Sequence, residues 1–435
     1  RGKMIFKDGS KVKYILGYDL GEQVSQISYL ADHEEEPRTF SLLAGAEAFD
    51  IPTFLAKQRG VNQWFFGAEA QKQVQEGRAI PLYGLLTAAR RGEEILLDEV
   101  SFDPVALLSL FIKRSLAMLS MELDPGTIEA IMFTTRQMDE TMVHVLQQVQ
   151  KALTLPIKKC YFENYEESLF YYILNEKDAY RGHDVIACDL KADQALFLYD
   201  LSFDQKTTPI VATVTMRTYE EMAYDREGLP EEAVAREKAR DMLDEEFLSI
   251  AEGFCRGRVI SSIYLLGDGF KDKWMKRSLS YLCRTRKVFQ GTNLFSKGAC
   301  FALRQKLLRQ GDSPKFLLLG EDKLRSNLGI QVLSKGEEIY YPLLEAGINW
   351  YDATASVDLI LLQGSTLYIQ STPLAGGIAH PLCLQLQIPQ DREERTTRIR
   401  LALQMSAANR LLVTAIDMGF GDYVQTEMRS FHAEF

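Results

Sequence analysis

The sequence predicts a mixed α/β protein in which two related α/β lobes are followed by a small all-β domain. Three observations carry this reading. Strands and helices alternate from Ala130 to Phe162, as they do where a helix covers parallel strands. The stretch Tyr14 to Leu30 is echoed by Val185 to Leu201: each is an apolar strand ending in Asp-Leu, then a turn, then a second strand, the mark of an internal duplication. After Phe316 the apolar period changes from helical spacing to two.

In the first lobe, assigned to residues 12–180, Gly21 breaks the leading strand and Gln26 to Leu30 returns at hairpin distance, with Thr39 to Leu43 as a third strand. Pro104 to Leu119 carries Leu107, Leu108, Phe111, Leu116 and Leu119 at helical spacing, with Asp103 as cap before a first-turn proline. Ala130 to Thr135, a helix over Met138 to Ala152 and a strand over Ile157 to Phe162 form a crossover unit. A helix near Glu166 to Leu174 closes the lobe.

Gly182 marks a restart, and the second lobe is assigned to residues 181–312. Val185 to Asp189, Ala195 to Leu201 and Pro209 to Met216 repeat the opening strands. Pro230 to Phe254 is a long amphipathic helix with Leu243, Phe247, Ile250 and Phe254 on one face. Ile260 to Leu266 reads as a buried strand stopped by Gly267-Asp268-Gly269. Lys273 to Leu282 and Ser296 to Leu308 read as helices joined through a short strand at Lys287 to Phe289, and Gly311 to Pro314 is the expected boundary. Residues 316–435 form the third domain. Val357 to Leu362, Thr366 to Ile369, Leu382 to Ile388, Arg398 to Met405 and Leu411 to Ile416 are its strands, without a covering helix, which predicts a sheet packed on another layer.

The balance of 46% hydrophobic and 25% charged residues over 435 positions is that of a folded globular chain with room for several cores. A formal charge of -10 argues against a nucleic-acid partner, whose phosphates the average surface field repels. The six cysteines are widely spaced and form no zinc or redox pattern. No run of about 20 uninterrupted apolar residues and no signal-peptide pattern is visible, so a cytoplasmic protein without a membrane partner is expected. P-loop, HExxH and GxSxG motifs are missing.

Six motifs in order carry a resemblance along nearly the whole chain. Ile15-Leu16-Gly17-Tyr18-Asp19-Leu20-Gly21 with Ser25, Ile51-Pro52 followed by Phe66-Gly67-Ala68-Glu69-Ala70, Phe162-Glu163 through Ser168-Leu169, Asp189-Leu190, Leu265-Leu266-Gly267-Asp268-Gly269, and Gly298-Ala299 resemble the phosphate, connecting and adenosine motifs of DnaK-type chaperones and their actin-like ATPase relatives. The hairpin Ile399 to Ile416 resembles the end of the chaperone β-sandwich. The resemblance implies an actin-like ATPase fold of two duplicated ribonuclease-H-like lobes with a β-sandwich-like domain behind it. It implies ATP or ADP with magnesium between two glycine-rich turns, where bare backbone amides meet phosphate oxygens. By the same resemblance Asp19, Glu163 and Asp189 are the catalytic carboxylates, with Asp19 and Asp189 holding the metal through water. Gly21, Ser25, Lys191, Gly267, Gly269 and Gly298 border the nucleotide, and Arg90 or Arg91 stands in the region of a phosphate-contacting lysine.

The departures weaken the nucleotide half of that expectation. Behind Asp19-Leu20-Gly21 this chain has Glu22, Gln23 and Val24 instead of small hydroxylated residues, and behind Asp189-Leu190 it has Lys191, Ala192 and Asp193 instead of glycines. A carboxylate beside a polyanion repels it, and side chains on a cradle keep its amides from the ligand. Two functions stay open. One is a protein-interaction module, with a protein or peptide partner, that binds ATP weakly or not at all; the other is an active magnesium-dependent ATPase.

Overall fold

In the computed structural model, which describes residues 12–153, 159–176, 183–191, 194–222, 232–308, 315–374, 378–388, 392–422, 424 and 430–435, the two apolar stretches near the start make a hairpin of β1 (Tyr14–Leu20) and β2 (Val24–Ala31). The third strand is shorter than expected: β3 (Arg38–Thr39) stops where Phe40 turns into the core, its amide bonded to the Ile27 carbonyl, and β4 (Ile51–Pro52) pairs with β2 instead. Between them and the first long helix lies a region not assigned from the sequence. It holds β5 (Leu55–Gln58), β6 (Trp64–Phe66), α1 (Gly67–Gln75), β7 (Ala79–Leu82), α2 (Leu85–Arg91), β8 (Ile95–Leu97) and β9 (Val100–Phe102). These strands are too short to show a period.

The expected crossover follows as α3 (Pro104–Met118), β10 (Ile128–Thr135), α4 (Glu140–Ala152), β11 (Lys159–Asn164) and α5 (Tyr165–Asn175). Asp103 caps α3 by accepting from the amides of Val105 and Ala106. By length and composition Pro104–Met121 could cross a membrane, yet Leu107, Leu108, Phe111, Ile112 and Leu116 are buried in the fold. Ser115 on this helix meets the Tyr18 hydroxyl of β1 at 2.7 Å. The first sheet has the order β11-β10-β1-β2-β3, with β1, β10 and β11 parallel and the hairpins antiparallel.

The second half repeats this plan with β12 (Asp184–Asp189), β13 (Leu196–Asp204), β14 (Ile210–Tyr219), α6 (Ala233–Cys255), β15 (Ile260–Leu266), α7 (Arg277–Leu282), β16 (Lys287–Gly291), α8 (Leu294–Leu308) and β17 (Phe316–Leu319). The order is β16-β15-β12-β13-β14-β17, again with two strands parallel to the leading strand on one side of it and antiparallel hairpins on the other. Phe316 was expected to open the last domain. Instead β17 closes the second sheet, because its apolar side chains cover the β14 edge: Phe316 meets Phe203 and Leu318 enters the core. The proposed boundary at Gly311 to Pro314 lies outside the described residues.

Although it lies between β16 and β17 of the second sheet in sequence, α8 packs against β1, β10 and α5 of the first half. Two glycines permit this. A Cβ on Gly17 would stand 2.1 Å from the Ser296 carbonyl oxygen, and one on Gly298 would stand 2.1 Å from that of Ser168. A side chain at either point, on β1 or on α8, would hold the helix away.

The chain divides into two compact units, Arg1–Leu318 and Leu319–Phe435. In the second, β18 (Ser326–Ser334), β19 (Glu337–Leu344), β20 (Thr354–Leu361), β21 (Thr366–Pro373), β22 (His380–Gln385), β23 (Thr397–Ala407), β24 (Arg410–Asp417) and β25 (Ser430–Glu434) form two antiparallel four-stranded sheets, β19-β18-β21-β22 and β20-β23-β24-β25. Ile399, Leu401, Leu403, Leu411, Val413 and Ala415 are buried while their strand neighbours are more exposed, the alternation read from the sequence. The strands β18 and β19 were not anticipated, because β19 is exposed along most of its length and shows no apolar alternation.

Candidate functional site

Both leading strands carry a buried aspartate at their carboxyl end, Asp19 next to last in β1 and Asp189 last in β12. Asp19 pairs in register with Thr134 and Gln26, and Asp189 with Leu266 and Phe197, so the two occupy the same position in the repeated plan. Each is almost fully buried, at 3% and 1% exposure. Gly21 makes the first turn tight: a Cβ there would lie 2.4 Å from the Val24 carbonyl oxygen.

Asp19 is satisfied by a neutral donor. Tyr165 opens α5 directly after β11, where the Asn164 side chain caps the helix on the Glu167 amide, and its hydroxyl donates to Asp19 Oδ1 at 2.5 Å. Its ring stacks on Phe295 with centroids 3.9 Å apart. Burial pushes the Asp19 carboxyl up to about 6, against the opposing pull of Lys191 and of the Tyr165 hydrogen bond. Burial, with Asp19 beside it, also holds the Tyr165 hydroxyl well above the usual phenol range.

Asp189 is satisfied by a cation from the other sheet. Arg136, the first residue after β10, donates from Nη2 to Asp189 Oδ2 at 2.9 Å. Its guanidinium lies 3.6 Å from the Phe197 ring centroid, with Gln194 Oε1 and the Tyr199 hydroxyl at 3.4 Å. Burial works against the charge on Arg136, and Tyr199 and Asp189 more than restore it. Asp189 Oδ1 is buried without a hydrogen-bond partner among the described residues.

Arg136 and Tyr165, the partners of the two carboxylates, line a cavity of about 230 Å³ together with Gly21, Glu22, Lys191 and Phe197. Glu22 Oε1 accepts from the Thr87 amide at 3.2 Å, tying the first turn to α2. Arg90 lines the same cavity and binds Gln137 and Asp139, while Arg91 lines a different one beside Tyr83. Ala192 and Asp193 lie outside the described residues.

The remaining residues singled out from the sequence sit elsewhere in the fold. Glu163 is fully buried at the end of β11, where Oε1 accepts from Ser168 Oγ at 2.5 Å, and that hydroxyl meets Thr134 Oγ1 at 2.7 Å. Ser25 Oγ meets Thr53 Oγ1 at 2.8 Å. Gly267 and Gly269 press on Leu190: added Cβ atoms would lie 2.3 Å from its carbonyl oxygen and 2.6 Å from its Cγ, and the Gly269 amide donates to that oxygen at 2.9 Å. Gly298 serves the α5–α8 crossing. Gly21 and Lys191 thus line one cavity, Asp19 lies close enough to Asp189 and Lys191 for their charges to act on it, and Asp19, Asp189, Ser25, Glu163 and Gly298 do not line the cavity.

Sequence reasoning missed Arg136, Tyr165 and Phe197, the side chains that fill the space between the two aspartates. A usable signal was position: Arg136 and Tyr165 directly follow β10 and β11, the parallel strands on one side of β1, where side chains project toward a sheet's carboxyl edge.

The described structure is similar to a non-polymerising mutant of MamK bound to AMPPNP, with a TM-score of 0.41 and 12% sequence identity over 68% of this chain and 99% of that one. No curated protein matches the chain. Residues 323–435 match a domain of unknown function, DUF8552. Residues 36–321 match the C-terminal model of a family of unknown function, DUF5716, and the chain belongs to that family.

Proposed function

We propose that the first unit is an actin-like two-lobed fold whose inter-lobe cleft is held shut by its own side chains, and that the chain acts as a protein-interaction module without magnesium-dependent ATP turnover. The observation that carries this is the Arg136–Asp189 ion pair laid over Phe197. The repeated strand order supports the two-lobed reading, with Asp19 and Asp189 at matched positions.

The residues present do not fit a magnesium nucleotide. A metal held through water needs carboxylate oxygens free to orient that water, and here Asp19 is engaged by Tyr165 and Asp189 by Arg136. A phosphate cradle needs bare amides, and Glu22 and Lys191 line the space instead. At about 230 Å³ the cavity falls below the roughly 300–1,000 Å³ of drug-sized ligand sites. Asp189 Oδ1 favours the second reading, an active ATPase, since an ion's water would satisfy it; one resident water would do so equally.

An interaction role draws support from the second unit, taken by itself. Ile339, Tyr340, Tyr341, Ile360, Leu362 and Tyr368 are exposed, and Ile360, Leu362 and Tyr368 line one groove, the kind of gathered apolar surface that marks interaction sites. The experiment is calorimetric titration with ATP and ADP in magnesium. No saturable binding up to millimolar nucleotide is expected. Micromolar binding that disappears in Asp19→Ala would place the ATPase reading first.

A further inference from the structure

The charge balance of this cleft leads further, on the basis of the closed-cleft reading above. We propose that Arg136 is a built-in counter-cation for the Asp19 and Asp189 pair, making the wild-type cleft selective against divalent cations, and that its removal turns the cleft into a divalent-cation site.

Two carboxylates, 3% and 1% exposed, lie close enough for the charge of one to act on the other, and burial of two like charges demands compensation close by. Arg136 supplies it in a fixed geometry. One face of the guanidinium rests on Phe197 at 3.6 Å, and its edge donates to Asp189 at 2.9 Å. Lys191 lines the same cavity as Arg136, and its charge acts on Asp19. Arg136 and Lys191 therefore stand against the two aspartates, with Arg90 and Glu22 adding one charge of each sign to the same lining, and an entering divalent ion meets a field already cancelled. Among the described residues no group of three metal-ligating side chains is assembled.

Without the arginine the balance reverses. Asp189 would hold one oxygen already unpartnered, Oδ1, and a second, Oδ2, newly released. Gln194 Oε1 and the Tyr199 hydroxyl, which now approach the guanidinium, would border the vacated volume. Hard oxygen donors with uncompensated negative charge are what Mg²⁺ and Mn²⁺ bind.

The test uses the full chain and Mn²⁺ alone, titrated by calorimetry and by the loss of the free-ion electron paramagnetic resonance signal. The wild type is expected to show no saturable site below millimolar Mn²⁺. Arg136→Gln should bind one ion at least tenfold more tightly, and Arg136→Gln/Asp189→Asn should lose that gain. Equal Mn²⁺ binding by wild type and Arg136→Gln, no gain in folded Arg136→Gln, or a gain that persists in the double variant would each overturn the proposal. If Arg136→Gln is unfolded without metal, millimolar Mn²⁺ should restore its circular dichroism, and failure to restore it overturns the proposal as well. Nucleotide is left out, so ATP binding by the wild type would break the closed-cleft reading through a separate measurement.

Discussion

The two sheets of the first unit follow one plan, yet each neutralises the aspartate at the end of its leading strand differently. In the first, Asp19 takes a hydrogen bond from Tyr165, a neutral phenol on a neighbouring element of the same half. In the second, Asp189 takes a guanidinium from Arg136, a residue of the opposite half. A neutral donor leaves the burial cost on the carboxylate, and Asp19 is pushed up to about 6. A cation that crosses from the other sheet links the halves through charge. The repeated plan therefore shares the position of the acid and not the means of keeping it buried.

The comparison breaks most visibly at the arginine. Arg136→Ala should lower stability by about 3–5 kcal/mol, because it strands a buried charge on Asp189, and Arg136→Ala/Asp189→Ala should recover part of that loss. Urea unfolding would measure both. A loss under about 1 kcal/mol in the single variant would show that the second carboxylate does not depend on the first half.

The leading strands also differ in what they let approach. Gly17 and Ala187 hold equivalent positions two residues before the aspartates, but only Gly17 lies beneath α8, with a would-be Cβ 2.1 Å from the Ser296 carbonyl oxygen. Gly17→Ala should cost about 3 kcal/mol, since a backbone carbonyl must move and a flexible side chain cannot absorb the clash. The midpoint of thermal unfolding reports it. A shift of less than a degree would mean that α8 is free to slide away.

The smallest effect has the opposite sign. The folded-state value of Asp19 is raised from the ordinary 3.8 to about 6, so the folded chain holds this proton more tightly than the unfolded one. Its contribution to stability is greatest below about pH 4, is lost as pH rises toward 6, and is flat above that. Asp19→Asn keeps an acceptor for Tyr165 and removes the ionisation. It should be more stable than wild type at pH 7 by on the order of 2–3 kcal/mol, with the advantage fading toward pH 4. Denaturant midpoints for both proteins between pH 4 and 7 would decide it. A pH-independent difference would remove Asp19 as its source.

Much of the fold was legible in the chain itself. Runs such as Tyr14–Leu20, Ile128–Thr135 and Ile260–Leu266 are apolar and bounded by turn residues, and α3 and α4 carry their apolar faces and caps in the local sequence. Period and capping are properties of neighbouring residues, which is why the order of strands and helices, the echo of Asp19 in Asp189 and the switch to alternating strands could be read directly. Strands such as β5 and β8 could not, because they are too short to show a period, nor could β19, because too few of its side chains are buried to leave a pattern.

The site divides in the same way. The sequence determined that two aspartates would end two related strands, and that Glu22 and Lys191 would follow them. Only the tertiary structure decided what meets those acids. Tyr165 reaches Asp19 across 146 positions of sequence, and Arg136 reaches Asp189 across 53. Glycines named for a ligand proved to be points of close backbone packing, Gly267 and Gly269 on Leu190 and Gly298 on Ser168. A glycine reports that something must come near, and the residue types alone do not say whether that neighbour is a phosphate or another part of the chain.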